Sequence, residues 1–135
     1  MRAPTLIALL LAASAARAAP CPDVAACKAA CEASNPAACN ELGALVYTGD
    51  QVPRDEPAAR AWYGRACDGG DLLGCVNLSW MLVDAEGGPA DPAAAEALFT
   101  KACAGGDGAG CGGRAVLLAA RDPVTAEPLA KQGCA

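Results

Sequence analysis

The chain has 135 residues, with 10 basic and 15 acidic side chains, no histidine, 15 glycines and 9 cysteines. A net charge of −5 without a basic cluster argues against nucleic acid and anionic membrane surfaces as partners. Lacking histidine, the chain also lacks the commonest metal ligand and the usual general base near neutral pH.

The N-terminus reads as a secretory signal peptide. Met1, Arg2 and Pro4 precede an apolar run, Thr5 to Ala13, and small residues up to Ala16-Arg17-Ala18. That order of basic start, short hydrophobic segment and small-x-small site predicts cleavage after Ala18, so that residues 1–18 leave. The run is well short of the ~20 residues that span a bilayer, and Arg17 closes it. Pro20 argues against a lipid anchor on Cys21. Residues 19–135 then form one domain with 8 basic and 15 acidic groups, a charge of −7. It contains one Phe, two Trp and two Tyr, so its core is built from small side chains and needs covalent staples. Nine cysteines in an exported chain point to an oxidising compartment, secreted or periplasmic, and to a disulfide framework.

From Cys31 onward the chain repeats itself. Cys31, Cys67 and Cys103 are 36 residues apart, as are Cys39, Cys75 and Cys111. Shifting by 36 aligns "DEPAARAWYGRACDGGDLLGC" with "DPAAAEALFTKACAGGDGAGC" at eleven identical positions, from Asp55 to Cys75. A period of this length marks stacked structural units. The units run approximately 19–54, 55–90 and 91–121, with a partial one at 122–135.

Each unit predicts two helices. The second helix of the first unit has the stripe Cys39, Leu42, Gly43, Val46, Tyr47, and "TGDQVPRD" turns the chain onward. Asp55 and Asp91 sit at N-cap positions of the next two first-helices, and Pro92 fits the first turn. Their stripes, Ala59, Trp62, Tyr63, Ala66, Cys67 and Ala95, Leu98, Phe99, Ala102, Cys103, follow helical periodicity. Gly69-Gly70 and Gly105-Gly106 end these helices, and Asp71 and Asp107 cap the second ones. Cys75, Leu78, Ser79, Leu82 and Val83 form the next stripe, and "EGGPAD" is the following turn. The last unit, Asp122 to Cys134, matches a first helix after a shift of 31, with Pro128 breaking its interior.

Three chemistries compete for the Cys-x7-Cys pairs. A metal knuckle needs tighter spacing or histidine, and a redox pair needs a CxxC-like motif in a βαβ setting. Both are absent. An eight-residue step across a Gly-Gly corner can instead bring two inward-facing cysteines within disulfide range, which predicts Cys31–Cys39, Cys67–Cys75 and Cys103–Cys111. Cys27 takes the stripe position of Tyr63 and Phe99, and Cys21–Cys27 is a candidate fourth bridge. Cys134 carries the first half of the motif without the second. It is an unpaired thiol, an intermolecular bridge or the edge of a longer array, and the C-terminal end is a candidate surface for self-association.

The pattern AxAWYxRAC…GC…L at this spacing resembles Sel1-like repeats, relatives of tetratricopeptide repeats, and is similar to the Helicobacter cysteine-rich protein family. The resemblance covers Asp23 to Cys134. It implies an all-α protein: an α/α solenoid of about three and a half disulfide-stapled 36-residue helical hairpins, with a concave face suited to protein or peptide ligands. Some members of that family are labelled penicillin-binding or β-lactamase-like, which implies β-lactam binding or weak hydrolysis as the alternative function.

The residues offer that alternative little. No Ser-x-x-Lys or Lys-Thr-Gly is present, with Ser34 followed by "NPA" and Ser79 by "WML". No catalytic residue, metal site or cofactor is therefore assigned, and the carboxylates Asp55, Asp71, Asp91 and Asp107 are read as caps. The expected function is an exported scaffold that binds a protein or peptide in the cell envelope or outside the cell. Candidate contact positions are Lys28, Arg60, Gly64, Glu96 and Thr100, off the stripe of the first helices, together with Trp80.

Overall fold

A computed structural model describes residues 21–121. The expected signal peptide, the expected partial unit 122–135, Pro128 and Cys134 lie outside the described residues. Six α-helices and no strand occur among the described residues: α1 (Val24–Glu32), α2 (Pro36–Thr48), α3 (Glu56–Asp68), α4 (Leu72–Val83), α5 (Pro92–Ala104) and α6 (Gly108–Arg121).

Every helix starts on a side-chain cap. The carboxylates of Asp23, Asp55, Asp71, Asp91 and Asp107 accept backbone N–H groups three residues on, at 2.7–3.0 Å. Asn35 does the same for Ala38 at 3.2 Å. Each cap satisfies one of the N–H groups that a helix start leaves without a partner. Proline occupies the first turn of α2, α3 and α5.

The corners joining α1 to α2, α3 to α4 and α5 to α6 are copies of one geometry. Gly70 and Gly106 adopt φ of 98° and 93°, while Gly69 and Gly105 remain right-handed. The left-handed step thus belongs to the second glycine. Asp71 N–H then reaches Ala66 O at 2.9 Å and Asp107 N–H reaches Ala102 O at 3.0 Å, closing a Schellman turn that ends on the next helix's own cap. The first corner repeats this bond from Asn35 to Ala30, with Ser34 at φ 67° where the others carry glycine.

Disulfides lock these corners. Cys31–Cys39, Cys67–Cys75 and Cys103–Cys111 have Cα–Cα distances of 4.6, 4.5 and 4.4 Å, and Cys21–Cys27 ties the chain ahead of α1 to that helix at 5.1 Å. The alternate turns, α2 to α3 and α4 to α5, are longer. There Asp55 N–H donates to Val46 O and Asp91 N–H to Leu82 O, again 36 residues apart.

Packing follows chain order, each helix against its successor, and α4 additionally touches both α2 and α6. The odd-numbered helices make no comparable contact with one another. The even-numbered helices, whose neighbours touch, are termed the inner row and α1, α3 and α5 the outer.

The core alternates bulk with small residues. Cys27, Tyr63 and Phe99 occupy one position of the outer helices, and all are buried. Gly43, Ser79 and Ala115 occupy one position of the inner helices and are also buried. A Cβ on Gly43 would lie 2.7 Å from the Tyr63 ring, so glycine is what lets α2 and α3 approach. Trp62, expected inside, is only partly buried, and the Arg65 guanidinium lies 5.4 Å from its ring centre.

Candidate functional site

The features that first draw a chemist's eye are absorbed by the fold. Cys31, Cys39, Cys67, Cys75 and Cys111 are buried within the corners. The five capping aspartates hold helix starts. Ser79 is fully buried and donates its hydroxyl to Cys75 O at 2.7 Å, so it presents no nucleophile. Among the described residues no cluster of His, Cys, Asp and Glu could hold a metal ion.

The off-stripe candidates lie on the outer row. Lys28 is exposed on α1. Arg60 donates to the carbonyls of Glu86 at 3.3 Å and Pro89 at 3.0–3.1 Å, pinning the α4–α5 turn onto α3. A Cβ added at Gly64 would lie 4.0 Å from the Leu78 side chain. Thr100 donates to Glu96 O at 2.7 Å within α5, and the Glu96 carboxylate pairs with Arg121 at 2.8 Å.

Trp80 differs from these. It sits on α4 of the inner row, is 36% exposed, and packs edge-on against Phe99 with ring centres 5.0 Å apart. The residues 36 positions away on α2 and α6 are Ala44 and Val116. Val116 is 56% exposed, and Leu73, two helical turns before Trp80 on the same face of α4, is 49% exposed. The inner row thus presents apolar side chains to solvent at equivalent positions of neighbouring units.

Beside Trp80 lies a cavity of about 140 Å³ lined by Tyr47, Tyr63, Asn77, Trp80, Met81 and Glu86. Tyr47 comes from α2, Tyr63 from α3, the next three from α4 and Glu86 from the following turn. Tyr47 donates its hydroxyl to Glu86 Oε1 at 2.8 Å, and Asn77 Nδ2 donates to Asn40 Oδ1 at 2.9 Å. The bond to Glu86 is the main reason the Tyr47 phenol titrates above its ordinary value, with desolvation and the carboxylate's charge adding to it. Burial pushes Tyr63 up to about 12.

Sequence reasoning singled out Trp80 but not its companions. Tyr47 falls on a packing stripe and Glu86 in a turn, so periodicity gives both bland roles. The available signal was a departure from the period. Tyr47, Asn77 and Trp80 correspond to Val83, Gly113 and Val116 in the next unit, so this lining belongs to one inter-unit junction only.

Two consecutive copies of the Sel1 repeat model match, at residues 36–71 and 72–107, more than half of the chain. The chain belongs to the Sel1 repeat family. The family's unit begins at α2 and α4, the same 36-residue period in a different phase from the hairpins cut at the disulfide corners. Among solved structures, Helicobacter pylori cysteine rich protein B is 29% identical, with a TM-score of 0.64 over 66% of this chain and 67% of that one. A protective antigen of uropathogenic Escherichia coli displaying an SLR fold is 23% identical (TM-score 0.77), and a Sel1 repeat protein from Oxalobacter formigenes 22% (TM-score 0.76). Both cover 82% of this chain, which spans only 25% and 48% of their lengths. No curated protein matches. This Sel1 repeat chain is therefore an all-α repeat scaffold with four disulfides among the described residues, and those bonds belong to an oxidising environment. No helix among the described residues is long and apolar enough to cross a membrane.

Proposed function

We propose that this Sel1 repeat chain is an exported, non-catalytic scaffold that binds a protein or peptide partner along its inner row. Stacked hairpins create an extended curved surface without a reaction centre, and such architectures use that surface for recognition. The observation that carries the reading is the exposed apolar line of Leu73, Trp80 and Val116, set beside a junction-specific cavity. Trp80 keeps 36% of its surface in solvent at the position of its unit that the exposed Val116 takes in the next. Export is supported by the signal-peptide pattern of residues 1–18 and by the four disulfides.

The test is a crosslinking pull-down from the envelope of the producing organism, comparing wild type with Trp80→Ser/Val116→Asp. Specific partners should enrich with wild type and be lost with the double variant, whose helicity and melting are checked by circular dichroism. Recovery of the same set by the variant would contradict the reading. So would turnover of a chromogenic β-lactam by the oxidised, purified protein.

A further inference from the structure

The cavity at the α2–α4 junction has a chemistry of its own. Three of the chain's five aromatic rings line it, and Glu86 is the only charged residue among the lining residues. Two of its donors are engaged inside the fold, the Tyr47 hydroxyl with Glu86 Oε1 and Asn77 Nδ2 with Asn40. Among the described residues, no hydrogen bond reaches Glu86 Oε2 or Asn77 Oδ1. The lining therefore offers unpaired acceptors, one negative charge and aromatic surface. That set is the complement of a compact cation carrying several N–H groups.

A cation already associates with one of these rings. The Arg54 guanidinium lies 4.8 Å from the Tyr47 ring centre, and its charge is paired with Glu56 at 2.7 Å. Among the described residues Glu86 has no such partner, so a carboxylate remains at the cavity edge for an incoming charge. The overall charge of −5 favours the approach of a basic partner.

We propose that this cavity receives the side-chain ammonium of a lysine presented by a protein partner. The proposal rests on the scaffold reading and specifies the partner's chemistry. The four-carbon stem would lie along Trp80 and Met81 while the ammonium donates to Glu86 and Asn77 and meets the tyrosine rings. A guanidinium is planar and larger, and a quaternary ammonium has no N–H to give these acceptors. Lysine satisfies both features of the site.

Titration of the oxidised protein with Nα-acetyl-lysine amide, followed by the Trp80 indole NMR signal, tests it. Saturable shifts are expected at Trp80 and Tyr47 but not at Trp62. Nα-acetyl-norleucine amide should give none, and Nα-acetyl-arginine amide and tetramethylammonium should bind more weakly than the lysine amide. Glu86→Gln, which keeps the residue's shape and lies in a turn, should weaken binding about tenfold. Trp80→Leu should abolish the response at Tyr47. Equal binding by norleucine amide, tighter binding by the arginine or tetramethylammonium probe, or indifference to Glu86→Gln would overturn the proposal. A partner captured through Trp80 and Val116 but unaffected by Glu86→Gln would remove the lysine assignment while leaving the scaffold reading in place.

Discussion

Ser34 adopts φ 67° at the first corner, where Gly70 and Gly106 stand in the other two. A Cβ in the left-handed region clashes with the backbone, so Ser34 carries a penalty that its glycine counterparts avoid. Ser34→Gly should therefore stabilise the protein by about 0.5–1 kcal/mol, less than the full penalty because glycine also gains freedom in the unfolded chain. A urea midpoint that falls would show that the corner is not strained. Tyr63 gives a second test at this scale. Its phenol is raised from 10.0 to about 12 by burial, so the fold favours the protonated form. That contribution is complete below pH 10 and is lost as pH rises toward 12. Urea midpoints should decline across that window, and Tyr63→Phe should remove part of the decline, the raised Tyr47 phenol contributing the rest. An unchanged decline in Tyr63→Phe would place the titrating group elsewhere.

The helices and corners were legible in the sequence because each follows from local chemistry copied every 36 residues. Asp55, Asp71, Asp91 and Asp107 stand directly before apolar periodic segments, and all four cap in the structure. The cysteine pairs follow from the same corner, since an αα-turn of fixed length fixes the distance between its flanks. What could not be read there was the division of labour between the rows. Equal periodicity in both helices of a unit says nothing about which row's members touch, and in the structure it is α4 that packs on α2 and α6. The cavity was hidden for a related reason: Tyr47, Tyr63, Trp80 and Glu86 come from four separate segments with no shared spacing. At this scale the corner's parts should separate in size. Removing one bridge, Cys67→Ala with Cys75→Ala, should cost about 2–3 kcal/mol through loop entropy. Asp71→Ala, which removes only the cap at the same corner, should cost about 1 kcal/mol. Equal losses in chemical denaturation would mean that the disulfide does little beyond what the cap does.

Across the whole molecule, the repeat supplies a frame and the departures from it supply a site. The outer row is tied inward: Arg60 pins a turn, Glu96 pairs with Arg121, and Thr100 bonds its own helix. The inner row leaves Leu73, Trp80 and Val116 in solvent. A scaffold that recognises a partner through that row should show the asymmetry directly. Photocrosslinking residues placed one at a time at Leu73, Val116 and Lys28, and activated in the producing organism, separate the two faces. Adducts to one protein partner from Leu73 and Val116, with none from Lys28, are the expected result. Adducts from Lys28 alone, or equally from all three positions, would contradict recognition along the inner row.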